Sequence, residues 1–193
     1  MTKETKKEIG RYAVSSISLL GFSLVFSLFS LIFIVSDKIP AWARIVVSFI
    51  FIAPTIYIAL TQGKAQGERL FKAHAKTTLS DLHGEMPIEI PYYKCVFHVL
   101  GFVVPLTVVY VIAVILKSNA LRLAAMIFEF PVALLFSSVK VIKLDVTTPL
   151  TLAVFIPYTL IVAGVFVFGY IRKILQLKKR HAEIKSELRS FDN

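Results

Sequence analysis

The sequence predicts an all-α integral membrane protein: four transmembrane helices plus an amphipathic interfacial helix and a cytoplasmic C-terminal helix. Hydrophobic side chains make up 56% of its 193 residues and charged ones 18%, too apolar for an ordinary soluble domain. Four apolar runs are long enough to cross a hydrocarbon core of about 30 Å. The net charge of +10 comes from basic residues that flank these runs. We therefore interpret the charge as orienting the chain in a membrane and expect no nucleic-acid binding.

The first span is predicted at 13–36, after a basic N-terminal segment. This apolar run is far longer than the hydrophobic region of a signal peptide, and no small-residue cleavage site follows it, so we expect it to stay in the protein. Serines recur on one face of the helix, which favours close packing against another helix, with a polar conduit as the alternative. These serines are Ser16, Ser23, Ser27 and Ser30.

The second span is predicted at 43–60, with a kink at Pro54, and the third at 96–116. Between them, residues 61–92 are expected to form a cytoplasmic loop. Its first half has helix-forming residues with an apolar side, which predicts a short surface helix.

The segment 119–142 is predicted to be an amphipathic helix that lies in the interface, because helical spacing collects its charges, Arg122 and Glu129 among them, into one stripe. If it stays on the far side, the basic N-terminus, the central loop and the C-terminal tail share one face. The bias of lysine and arginine thus favours four spans with both termini cytoplasmic. A sparse internal repeat around Gly21 and Gly101 leaves a fifth crossing as the alternative.

The fourth span is predicted at 149–171, and a basic helical tail at 172–193. Apolar residues and a histidine recur at spacings of three and four along the tail, which is typical of a helix that pairs with another helix. A helix lying on anionic headgroups is the alternative. The seam consists of Ile174, Leu177, His181, Ile184 and Leu188, bordered by Lys178, Lys179 and Arg180.

Three short motifs carry a resemblance to a known family. Gly67-Glu68-Arg69 follows span two, and Ile156-Pro157-Tyr158 and Gly169-Tyr170 lie in span four. With the order of elements, they resemble a family of small, uncharacterised four-pass membrane proteins of Gram-positive bacteria. The resemblance covers spans two to four and implies a four-span layout in the cell membrane, without an activity. The longer basic C-terminal helix departs from that family.

Chemistry-bearing motifs are scarce. Cys95 and His98 share a helix face and could contribute to a zinc site with His74 and His83, but the spacings match no metal motif. A single cysteine excludes an internal disulfide. The sequence lacks the nucleophile elbow, the phosphate-binding loop, the H-E-x-x-H motif and the dinucleotide fingerprint. We therefore expect neither an enzyme nor a bound cofactor.

Two functions remain as hypotheses. In the first, the protein is a non-catalytic accessory or scaffold subunit of the cell membrane. It would bind anionic lipid headgroups and a protein partner, or a second copy, through span one, the tail and the central stretch. The basic residues of that stretch are Lys64, Arg69, Lys72 and Lys76. In the second, it is a small permease or a component of one that acts as an oligomer, with Glu129 and Arg122 in the pathway.

Overall fold

A computed structural model of the chain describes residues 3–35, 39–79, 90–117 and 149–191. This part of the chain is helical and contains no strand. Each of its four helices has a stretch long and apolar enough to cross a membrane, which confirms the prediction of an all-α protein with four such helices. The helices are α1 (Lys3–Val35), α2 (Ala41–Leu79), α3 (Lys94–Ile115) and α4 (Pro149–Phe191).

Helices α1 and α2 run antiparallel. The Gln62 side chain on α2 donates a hydrogen bond of 2.8 Å to Ser18 Oγ on α1. Further along the pair, the rings of Phe29 and Phe51 stack with their centroids 6.4 Å apart. Higher residue numbers on α1 thus meet lower numbers on α2, as expected for a helical hairpin closed by a short connection.

Helix α3 runs parallel to α1. Lys94 at the start of α3 forms an ion pair of 2.8 Å with Glu8, and one turn further the Ser16 hydroxyl donates to the carbonyl of His98 at 3.1 Å. Ser16, Ser23 and Ser27 are all buried. The serine face of the first span therefore packs inside the bundle of its own chain, whereas apolar side chains on the other face of α1, such as Val14 and Ile17, are exposed.

Helix α4 runs antiparallel to α3. The ammonium of Lys178 lies 5.3 Å from the centre of the Tyr92 ring, and the Phe166 ring lies 5.5 Å from that of His98. Low numbers on α3 thus meet high numbers on α4. The C-terminal end of α3 and the N-terminal end of α4 consequently lie at the same end of the bundle. The interfacial helix proposed at 119–142 lies outside the described residues.

Helices α2 and α4 make the most extensive contact and are brought together by glycines. A Cβ added to Gly67 would lie 2.5 Å from the backbone oxygen of Tyr170, and one added to Gly169 would lie 2.5 Å from that of Leu60. A Cβ added to Gly63 would lie closer still to the backbone oxygen of Phe166. Small residues of this kind let two helix backbones touch in a membrane. The buried core draws on all four helices, and α4 contributes the most residues to it.

The structure corrects the prediction for the stretch after span two. Residues 61–79 are not a separate surface helix, because α2 continues without a break to Leu79. Pro54 is accommodated within this helix, and the glycines beyond it face the backbone of α4. At about 1.5 Å per residue, the 39 residues of α2 span about 58 Å, which exceeds a hydrocarbon core of about 30 Å. The helix therefore projects out of the apolar layer.

Candidate functional site: a polar groove at the basic end of the bundle

The helix directions bring the N-terminal ends of α1 and α3 together with the C-terminal parts of α2 and α4. We call this end of the bundle the basic end. Its described acidic side chains are Glu8, Glu68 and Glu183. Its described basic side chains are Arg11, Lys64, Arg69, Lys72, Lys94, Arg172, Lys173, Lys178, Lys179 and Arg180. At the opposite end, the described basic residues are Arg44 and Lys117. All four helices therefore contribute to one electropositive surface.

The acidic side chains of the basic end are engaged in ion pairs. Glu68 contacts Lys72 at 2.7 Å and Lys173 at 3.2 Å, and the second contact joins α2 to α4. Glu8 forms an ion pair with Lys94. These pairs are partly exposed, so each contributes little to folding stability. Their main effect is to neutralise these carboxylates, so that other basic side chains, such as Arg11 and Arg69, have no ion pair with a described acidic residue.

Arg11 on α1 and Arg69 on α2 line the same groove between the two helices. Neither guanidinium makes a hydrogen bond or an ion pair with a residue in the described part of the chain. Both border an inner cavity of about 70 Å³ that reaches towards α3 and α4, and both border an outer groove of about 520 Å³ that is open to the surroundings. Two uncompensated guanidinium groups at one opening favour an anion.

The inner cavity ends at His98. This side chain is only 4% exposed, and the edge of its ring packs against Tyr12 with the ring centroids 4.6 Å apart. Its Nδ1 atom has no hydrogen-bond partner among the described residues. Tyr170 of α4 lines the same cavity, with its ring 6.5 Å from that of His98. A buried imidazole nitrogen is costly to leave unsatisfied, so this cavity suits a polar occupant.

The outer groove is polar on its inner wall. Ser15 Oγ and Gln62 Oε1 are buried and, like His98 Nδ1, lack a hydrogen-bond partner among the residues that the structure covers. The nitrogen of the same Gln62 amide is bonded to Ser18. Towards the exterior, the groove is bordered by Val14 and Ala65. The groove thus carries basic side chains at its mouth, hydrogen-bonding side chains behind them and apolar side chains along its outer border.

The structure brings together part of the predicted lipid-binding set. Lys64, Arg69 and Lys72 lie on the extended part of α2 at the basic end, and Lys76 belongs to the same helix, although its side chain is outside the described residues.

The tail seam is partly covered by the chain itself. Ile174 is fully buried, Leu177 packs against the core, and the His181 ring lies 6.3 Å from Phe71 of α2. Ile184 is 57% exposed. The first half of the predicted seam thus binds α2, and the free surface begins beyond His181. The side chain of Leu188 is outside the described residues.

The weak metal candidates do not gather into a larger set. Cys95 and His98 are both buried in α3, and across the described ranges no three histidine, cysteine or acidic side chains are grouped as a metal site would need. The described residues do not include His83, Arg122 or Glu129. The hypothesis of a transport pathway through Arg122 and Glu129 therefore also lies outside them.

Sequence reasoning missed the groove. The sequence pattern predicts only membrane orientation for the basic N-terminal segment, which includes Arg11, and no role for Ser15 or Gln62. A signal was present, because polar residues recur at three or four positions on both helices, at Ser15 and Ser18 on α1 and at Gln62 and Gln66 on α2. Recognising it required knowing that α2 stays helical beyond span two.

Comparisons of the chain with protein-family models, with curated proteins and with solved structures give no match. The resemblance to small four-pass proteins of Gram-positive bacteria therefore stays an expectation from short motifs. The class that the fold defines is a multi-pass helical membrane protein with one strongly basic end.

Proposed function

We propose that the protein is a non-catalytic accessory or scaffold subunit of the cell membrane whose basic end faces the cytoplasm. The observation that carries the proposal is the convergence of basic side chains from all four helices at one end of the bundle. Lysine and arginine near the ends of spans are retained on the cytoplasmic side. The same surface attracts the anionic headgroups of the cytoplasmic leaflet, at about 1 kcal/mol for each basic residue near them.

The partner surface of this subunit is the exposed side of the C-terminal part of α4, which α2 does not cover. There Lys179 is 82% exposed and Ile184 is 57% exposed. An exposed apolar side chain with basic residues about one turn before it on a projecting helix suits an acidic amphipathic segment of a partner. The contacts of Ile174 and His181 with the rest of the bundle hold this part of α4 in a defined direction.

The proposal is tested by affinity purification from native membranes followed by mass spectrometry. We expect Ile184→Glu to remove partner proteins that co-purify with the wild type, because the charge disrupts the apolar contact. Lys117→Glu at the opposite end is the control and should leave them in place. Identical sets of proteins with all three forms would contradict the role of the tail.

A further inference from the structure

We propose that the groove between α1 and α2 is a binding site for one anionic phospholipid, with the phosphate held between Arg11 and Arg69. The proposal rests on the proposed function in one respect, since it places the basic end at the level of the lipid headgroups. It goes further in assigning a stoichiometric site to named residues, which differs from general attraction to a basic surface.

The phosphate is recognised by the two guanidinium groups at the mouth of the groove. A guanidinium presents a planar fork of donors that matches the oxygens of a phosphate. The two acidic side chains of α1 and α2 that the structure describes here are engaged elsewhere, Glu8 with Lys94 and Glu68 with two lysines. An anion that enters here consequently displaces no ion pair.

The parts of a phospholipid below its phosphate match the groups that lie deeper in the groove. Ser15 lies one helical turn beyond Arg11, about 6 Å deeper towards the apolar layer, and Gln62 on the facing helix lines the same groove. The interfacial layer of a bilayer leaflet is about 5–7 Å thick, and at its inner side a phospholipid carries its ester carbonyl groups, which accept hydrogen bonds. The Ser15 hydroxyl has no partner among the described residues and can donate to such a carbonyl. A flip of the Gln62 amide would turn its NH2 group into the groove and leave its oxygen to accept from the Ser18 hydroxyl. Two buried polar atoms that lack partners in the described structure would thus be satisfied.

The open side of the groove explains why a lipid fits better than a free phosphate ion. Val14 borders the groove and is 68% exposed, and Ala65 on the facing helix is also exposed. An acyl chain that passes between them would cover this apolar surface. A phosphate ion would occupy the mouth and leave both the carbonyl-binding groups and the apolar border without a partner.

Native mass spectrometry of the full chain in detergent, titrated with phosphatidylglycerol, tests the proposal. We expect one lipid to remain bound to the wild type. The double variant Arg11→Gln/Arg69→Gln should bind it about tenfold more weakly or worse, since two charge-assisted contacts are lost. Lys178→Gln with Lys179→Gln removes the same charge outside the groove and should preserve the adduct. Ala65→Trp, which fills the groove at an exposed position and keeps both arginines, should abolish it.

Three results would overturn the proposal. Equal losses in the two double variants would show non-specific attraction to the basic end. Equal retention of phosphatidylcholine would show that the negative charge is not recognised. Equal stabilisation of the protein by inorganic phosphate and by the lipid, measured as a shift in melting temperature, would assign the site to a soluble anion. Because no partner protein is present in these measurements, they are independent of the co-purification that tests the proposed function.

Discussion

Replacement of Gly67 by alanine tests the close contact between α2 and α4. The added methyl group would lie 2.5 Å from the backbone oxygen of Tyr170, whereas an ordinary contact of a Cβ atom starts at 3.4 Å. The obstructing atom is backbone, so the two helices must separate by almost one ångström. Overpacking of this kind costs about 1–3 kcal/mol of folding free energy.

The matched control for this substitution is Gly164→Ala. Gly164 lies on α4 and has no atom within 4 Å of the place where its Cβ would be. Alanine is favoured over glycine inside a helix by about 0.5–1 kcal/mol, and both variants receive this benefit. The difference between them therefore isolates the steric cost, which we expect to be about 1–3 kcal/mol in favour of Gly164→Ala.

Cys95 supplies the assay for both variants. It is the single cysteine of the chain and is 6% exposed, so a thiol-reactive dye labels it when the protein unfolds. We expect Gly67→Ala to melt at a lower temperature than the wild type in detergent and Gly164→Ala at the same or a higher one. Equal melting temperatures for the two variants would refute the close approach of the two backbones.

Three further predictions follow from other contacts. Gly101→Ala should destabilise the protein by about 1–2 kcal/mol, because the added methyl group meets Ser16 Oγ. Adding Ser16→Ala should restore part of that stability in the same melting assay. Additive effects of the two substitutions would contradict the contact. Glu68→Gln should make the melting temperature less sensitive to added salt, because it removes two exposed ion pairs, and an unchanged salt dependence would count against them. Cysteines placed at Lys179 and Lys117 should react with an impermeant maleimide from opposite faces of sealed vesicles, since these residues lie at opposite ends of the bundle; reaction of both from one face would refute that arrangement.

The sequence was sufficient to predict four apolar helices because this property is local. A run of about 20 apolar residues identifies a span without knowledge of its neighbours. The length of α2 was not predictable in this way. Its continuation beyond Leu60 is polar on one side and contains Gly63 and Gly67, which normally weaken a helix. Their role becomes apparent only when α4 packs on them, and that contact joins residues about a hundred positions apart.

The candidate site was likewise predictable only where it depends on local sequence. Lys64, Arg69 and Lys72 were assigned to lipid binding from their charge and position, and the structure places them at the basic end. The sequence could not predict that Arg11 and Arg69 line the same groove, because their proximity depends on the antiparallel register of α1 and α2. The charge of single residues predicts a basic surface, whereas a binding site in a groove depends on the relative positions of two helices.

Helix α2 connects the packing of the bundle with the proposed lipid site. Gln62, Gln66 and Arg69 recur at spacings of four and three, so they share the face that lines the groove with α1. Gly63 and Gly67 lie one residue further along the helix, on the adjoining face that contacts α4. Because both faces belong to one continuous helix, the glycine contact contributes to the position of Arg69 relative to the rest of the bundle. A substitution that separates α2 from α4 would consequently alter the mouth of the groove as well.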